Sequence, residues 1–142
     1  MLKIGSNNDS FKVEKVWSSI GGGSAMRNEW QTAIHLGDYL YAFDNVGSAG
    51  PVTHLVCIEA ASGKPVWRKT RFGKGNMIAA DGKLFATTMK GELVVIKATP
   101  DGYKELGRSK VIETTRQAPA LANGRLYLRD GAEIVCLDAR KK

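Results

Sequence analysis

The sequence predicts an all-β fold, a β-propeller segment of about three four-stranded antiparallel blades with strand order CD-ABCD-ABCD-ABC. Three observations carry that expectation. A pattern recurs with a period near 40 residues, the range of propeller blades. Each copy holds a Gly-containing hairpin turn at the same place. No segment keeps a 3.6-residue apolar period over three turns, so helices are not expected.

Strands A and B of the three copies lie in residues 34–42, 78–86 and 120–128. Each stretch is an apolar run, a two-residue turn, a polar or aromatic residue, Leu and an aromatic. Asp81-Gly82 and Asn123-Gly124 suit a type I′ turn, which needs positive φ at both central positions; Gly37-Asp38 puts glycine first, as a type II′ turn prefers.

Strand C follows at 55–60, 93–98 and 134–139, rich in β-branched residues. A turn comes next, Ser62-Gly63-Lys64 or Pro100-Asp101-Gly102, and then strand D at 65–69 and 103–108. Leu40, Leu84 and Leu126 are spaced 44 and 42 residues apart, and Cys57, Val95 and Cys136 are spaced 38 and 41 apart. The two cysteines therefore fall in equivalent C strands with a whole blade between them. Both are expected to be reduced and largely buried, with no bridge between them.

Residues 1–4 and 11–17 read as strands C and D of a preceding blade, with Trp17 matching Trp67, and the last copy stops after strand C. The expected division of 1–142 is the end of a preceding blade at 1–20, blades at 30–70 and 75–110, and an incomplete blade at 116–142. Blades short of strands expose unpaired backbone groups. The expected partners are the missing blades of a longer parent chain, or a second copy of the chain that closes a ring of about six blades.

Composition narrows the function classes. With 43% hydrophobic and 25% charged residues, the chain has the makeup of a folded domain and not of a disordered one. No apolar run approaches the ~20 residues of a membrane-spanning helix, so no membrane span is expected. Residues 1–10 lack the apolar stretch of an export signal. The net charge of +7 would suit an anionic partner. Its cations are spread along the chain, with small groups only at 68–74 and 140–142, and no aromatic-basic stacking surface accompanies them. No nucleic-acid partner is expected.

Residues 55–67, Leu-Val-Cys-Ile-Glu-Ala-Ala-Ser-Gly-Lys-Pro-Val-Trp, have a physical logic of their own. Gly63 supplies positive φ in the C–D turn, the Ser62 hydroxyl can bond the turn backbone, and Trp67 can pack over a neighbouring blade. The run resembles the core of the pyrroloquinoline-quinone-like (PQQ-like) propeller repeats. The second copy departs from that core with Lys97 for the acid, Pro100-Asp101 in the turn and Leu106 for Trp, and the third ends before the Gly and Trp. The resemblance covers nearly all of the chain after residue 30. Residues 72–138 are similar to the C-terminal end of many bacterial propeller proteins of this type. The resemblance implies the fold, and fold does not fix function. It also implies that relatives are often periplasmic. Enzymes of the family hold the quinone on the axis of a full ring, with calcium on acidic and amide side chains and a disulfide between adjacent cysteines against the quinone. This sequence has no acidic pair at a suitable strand start and no adjacent cysteines, so no cofactor is expected.

Other chemistry finds little support. His54 and Cys57 have ligand types, but residues i and i+3 of a strand point to opposite faces, and no second pair follows nearby to complete a zinc site. His35, beside a hairpin turn, reads as a surface residue. Ser6, Ser10, Ser18, Ser19 and Ser24 lie in turn-like contexts with no Gly-x-Ser-x-Gly elbow. Gly21-Gly22-Gly23-Ser24 precedes no helix and lacks the lysine of a phosphate loop. No catalytic or metal-ligating residue is expected.

One constellation is a candidate binding site. Strand A of a blade lies nearest the propeller axis, and the loop entering it lines the central funnel. Ten residues before Leu40, Leu84 and Leu126 stand Trp30, Lys74 and Arg116, with Asn28, Gln31, Arg71, Asn76 and Gln117 beside them. Loops at a scaffold's mouth carry function, and a cationic, amide-rich mouth suits a polar or anionic ligand or an acidic peptide. The expected role is a non-catalytic binding or scaffolding module. The alternative is a piece of a quinoprotein-type dehydrogenase whose catalytic part lies upstream.

Overall fold

The computed structural model describes residues 1–7, 10–46 and 52–140. Among these every regular element is a strand, apart from one 3-10 turn at Gly21–Gly23 in the expected glycine link. A first hairpin pairs β1 (Leu2–Asn7) with β2 (Ser10–Lys15). The first four-stranded sheet is β3 (Ile34–Leu36), β4 (Tyr39–Val46), β5 (Val52–Glu59) and β6 (Pro65–Lys69). The second is β7 (Gly75–Ala80), β8 (Lys83–Thr88), β9 (Glu92–Lys97) and β10 (Glu105–Lys110). A three-stranded sheet follows, β11 (Ala120–Ala122), β12 (Arg125–Arg129) and β13 (Ile134–Asp138). All pairings are antiparallel between chain neighbours, the up-and-down order of propeller blades.

The hairpin turns have the conformations their residues demand. Asp81 and Gly82 have φ of 49° and 66°, and Asn123 and Gly124 have 50° and 71°, positive at both positions as a type I′ turn needs. In the β3–β4 hairpin turn Gly37 is positive, at 58°, and Asp38 is not. The register repeats with the turns. Leu40, Leu84 and Leu126 stand opposite Ile58, Ile96 and Leu137, and Tyr41, Phe85 and Tyr127 stand opposite Cys57, Val95 and Cys136.

The core lies between the sheets. Strands β4 and β5 are buried on both faces over most of their length, which is why they read as continuous apolar runs and not as alternating ones. On one face Tyr41, Phe43, Leu55 and Cys57 cluster with Phe72 of the β6–β7 loop and with Met77, Leu84, Ala86, Val94 and Ile96 of the second sheet. On the other, Ala42, Val56 and Ile58 meet Ala25, Met26 and Trp17. The next junction joins Ile78, Phe85 and Leu93 to Leu126, Leu128 and Ile112. The outer strands are wet: β10 is exposed at every residue, and in β6 only Trp67 is half-buried.

Two tryptophans fasten successive junctions. The Trp17 indole N–H donates to the Ala60 carbonyl at 2.8 Å, and the Trp67 indole N–H donates to the Thr99 carbonyl at 2.9 Å. Each acceptor lies in the C–D turn of the following sheet. Trp67 also lies between Tyr41 and Tyr103, with ring centroids 6.0 and 6.2 Å away. Gly63 is required at the first seat. Its φ is +73°, and a Cβ there would stand 2.7 Å from the Trp17 ring. Ser62 accepts the Lys64 N–H at 3.2 Å and bonds Glu59, tying the turn.

Two expectations need correction. Cys57 is buried, but Cys136 is exposed. In β13 Val135 and Leu137 turn toward the second sheet, while Ile134, Cys136 and Asp138 occupy the other face. The second sheet covers the face that carries Cys57, and no sheet among the described residues covers the equivalent face of β13. The second correction concerns Leu106. Trp67 stands opposite Cys57, and the residue opposite Val95 is Gly107, because β6 and β10 each carry a register shift, at Val66 and at Leu106. Gly107, and not Leu106, holds the place of Trp67, and the shifted Leu106 is 48% exposed.

Replacing Trp67 with Ala is expected to destabilise the chain by about 3 kcal/mol or more in urea unfolding, whereas Leu106→Ala should stay within ~0.5 kcal/mol of the parent. Burial pushes the Cys57 thiol up to about 11. A thiol reagent at pH 8 should therefore label Cys136 rapidly and Cys57 only on unfolding, and two fast thiols would overturn the burial of Cys57.

Candidate functional site

The three repeat-equivalent positions meet. The Lys74 ammonium lies 5.4 Å from the centroid of the Trp30 ring, and the Arg116 guanidinium carbon lies 5.7 Å from it. These are cation–π distances. Side chains on adjacent sheets touch here because equivalent positions of neighbouring blades converge toward the propeller axis.

Buried carboxylates hold the loops. Asp44, at the end of β4 and fully buried, accepts the Arg27 backbone N–H at 3.2 Å, Arg27 Nε at 2.8 Å and Arg68 Nη2 at 3.1 Å. Asp130 stands at the same place after β12. It accepts the backbone N–H of Glu113, Ala132 and Glu133 at 2.7–2.8 Å, and those bonds hold its carboxyl below the usual carboxylate range. Each carboxylate pins the loop that carries a site residue: Trp30 in the first case, Arg116 in the second.

Amides tie each loop to the next. Gln31 Nε2 donates to the Gly75 carbonyl, and Asn76 Nδ2 donates to the Arg116 carbonyl, both at 2.8 Å. Gly75 is needed there, since a Cβ would stand 2.2 Å from the Thr87 carbonyl oxygen. The loop between the first two sheets hangs on β5. Arg71 N–H donates to His54 Nδ1 at 3.0 Å, and Gly73 N–H donates to the Thr53 carbonyl at 3.1 Å. Arg71 has φ of 54°, a conformation costly for a residue with a side chain. Burial lowers the His54 pKa, Arg68, Arg27 and Arg71 lower it further, and Asp44 opposes them.

These loops border a cleft of about 660 Å³ lined by Trp30, Arg71, Phe72, Lys74, Lys90 and Arg116, among others. Trp30 is 40% exposed. Lys74 is bound to Glu29 at 2.7 Å and Glu92 to Arg108 at 3.1 Å. Arg71, Lys90 and Arg116 have no carboxylate partner among the described residues. The cleft therefore offers an aromatic floor and three uncompensated cations.

Of the residues singled out in the sequence, Trp30, Arg71, Lys74 and Arg116 line this cleft. Gln31 and Asn76 lie between sheets with their amides engaged. Asn28 is half-buried, and its Oδ1 has no partner among the described residues. Gln117 is exposed and lies outside the cleft lining. Lys90, Thr88 and Met89 were not anticipated. Thr88 ends β8, and Met89 and Lys90 form the β8–β9 turn, where Gly91, with φ of +77°, packs so closely on the Ile112 carbonyl that a Cβ would stand 1.9 Å from it.

No group of three or more His, Cys, Asp or Glu side chains comes together among the described residues in a way that could hold a metal ion. Glu92 in the cleft lining and Glu29 beside Lys74 are already paired with cations, and Cys57 and Cys136 lie in different sheets. This donor set does not fit a calcium-and-quinone seat. No helix among the described residues is long and apolar enough to cross a membrane.

The family model described as outer membrane protein assembly factor BamB matches residues 14–104. The chain belongs to this family of PQQ-like propeller repeats. Among solved structures, BamB from Moraxella catarrhalis is similar with a TM-score of 0.58 at 17% identity, over 75% of this chain and 32% of that one. The quinohemoprotein alcohol dehydrogenase ADHIIG from Pseudomonas putida HK5 is similar with a TM-score of 0.57 at 19% identity, over 77% of this chain and 19% of that one. At these identities the likeness is one of fold. The chain spans less than a third of the length of either structure. No curated protein matches it.

Asp44→Asn in this PQQ-like chain leaves two arginines facing a neutral amide, and its unfolding free energy is expected to fall by about 3 kcal/mol. The His54 pKa is depressed in the folded chain, so folded protein takes up the proton less readily than unfolded chain. Its contribution is intact above the ordinary histidine value of about 6.5 and is lost as pH falls below it. His54→Asn keeps an acceptor for Arg71 and should lose less stability between pH 7 and 5 than the parent. Equal losses would remove His54 as the source.

Proposed function

We propose that the chain is a non-catalytic binding module of a larger propeller assembly, and that the cleft beside Trp30 takes an acidic peptide or another anionic ligand. One observation carries the reading: the loops of three successive sheets converge on Trp30 and present Arg71, Lys90 and Arg116 without carboxylate partners among the described residues. Cations beside an apolar floor attract an anion while the floor takes the apolar part of its chain. The family description names an assembly factor, and that description accords with a propeller that binds protein segments.

The assembly has a physical motive. Among the described residues β1 and β13 each pair on one edge, and β13 carries Ile134, 69% exposed, on a face no described sheet covers. Unpaired edges and wet apolar faces favour a further partner. Further blades of a parent chain, or a second copy of this one, would supply both.

Hexaglutamate is the probe for the cleft. It should quench or shift Trp30 fluorescence and lose affinity at least tenfold between 50 and 500 mM salt. Arg71→Glu with Arg116→Glu should abolish the response without changing the strand signal in circular dichroism. Unchanged affinity in that double variant would overturn the reading. Light scattering on the isolated chain tests the edges: a dimer or larger species is expected, and a monomer stable at high concentration would contradict it.

A further inference from the structure

A second cleft, of about 480 Å³, lies between the second and third sheets and is lined by Phe85, Val95, Leu126, Leu137, Ala139 and Arg140, among others. Its place in the repeat defines its shape. Phe85 and Val95 stand where Tyr41 and Cys57 stand in the first sheet, and those two residues form one wall of the Trp67 seat. Arg140 stands three residues after Leu137, as Thr99 stands three after Ile96. The Thr99 carbonyl is the acceptor of the Trp67 indole. The backbone around the two turns matches as well, since Ala98 N–H bonds the Gly82 carbonyl and Ala139 N–H bonds the Gly124 carbonyl, both within 2.9 Å.

The second and third junctions thus share one seat, which Trp67 fills at the second; Trp17 fastens the first in a related way, on the Ala60 carbonyl, one residue earlier in the turn. At the third, the residue in register is Gly107, opposite Val95. Opposed residues of an antiparallel pair share a face, so a side chain at 107 would enter the cleft. Nothing in the backbone demands glycine there. Gly107 lies outside the left-handed region, and a Cβ built on it meets no atom within 4 Å. A glycine inside a strand weakens it and often marks a place where another chain approaches.

We propose that this cleft receives the tryptophan of a partner protein, carried on an extended segment laid against β10. The cleft continues the row of junctions that Trp17 and Trp67 occupy, so its walls suit a planar aromatic ring with an N–H donor. β10 pairs with β9, whose Leu93 and Val95 line the cleft, and among the described residues β9 is its only partner, which leaves a row of backbone groups for an added strand. The proposal is independent of the cleft beside Trp30.

The test begins with free indole and the full chain, followed by amide chemical shifts. Shifts confined to Phe85, Val95, Leu126, Leu137 and their neighbours are expected, and shifts elsewhere or none at all would overturn the proposal. Gly107→Trp should fill the seat, raise Tm by about 4 °C or more and abolish the indole response. Gly107→Phe serves in its place if that variant does not fold. An indole response that survives either filling variant also counts against the proposal. An extended Thr/Val peptide with one central Trp should bind at least tenfold tighter than its Trp→Ala counterpart. Equal binding of the two peptides would overturn the partner segment as the occupant.

Discussion

A thin sheet with two apolar faces cannot keep both from water by itself, and the whole structure follows from that constraint. β4, β5, β8 and β9 carry apolar side chains on both faces. Only other sheets, stacked on each side, can cover them. The core is therefore a set of junctions and not a single centre. Hydrophobic burial supplies the drive, at roughly 25 cal/mol per Å² of apolar surface. The tryptophan fastenings add register, because each indole N–H has one carbonyl to find. Polar character retreats to β6 and β10, the outermost strands, where backbone edges meet water.

The same stacking makes the candidate site. Sheets that pack side by side around an axis bring the loops at one end together, so residues more than forty positions apart in sequence become neighbours. The site needs no dedicated scaffold beyond the repeat, but its loops need anchors. Asp44 and Asp130 supply them through backbone N–H bonds, and Gln31 and Asn76 stitch each loop to the next. What differs from sheet to sheet is the side chain at the convergent position: an aromatic, then a lysine, then an arginine. Binding chemistry is thus written into the departures from the repeat, while the shared residues build the frame.

The repeat, the turn types and the convergence of Trp30, Lys74 and Arg116 were legible in the sequence because each depends on local spacing. Asp-Gly and Asn-Gly state their φ values in their own chemistry, and a fixed count back from a hairpin leucine returns to the same place in every blade. What was not legible depends on neighbours. Cys136 has the same strand context as Cys57, and only the presence of a covering sheet separates a buried thiol from an exposed one. Gly107 was hidden by a one-residue register shift, which a count along the chain does not reveal. Lys90 reaches the cleft from the β8–β9 turn, where Gly91 closely approaches the backbone at Ile112. The engagement of Gln31 and Asn76 likewise follows from inter-sheet distances that no local pattern encodes.

If junctions between sheets carry the stability, no sheet can open alone. Native-state hydrogen exchange tests this most directly. The account predicts that amides of β4, β5, β8 and β9 exchange through one common opening, with a single free energy equal to that of global unfolding. Separate opening of the first sheet, at a free energy well below that of the second, would show that each sheet is stable by itself and would contradict the account.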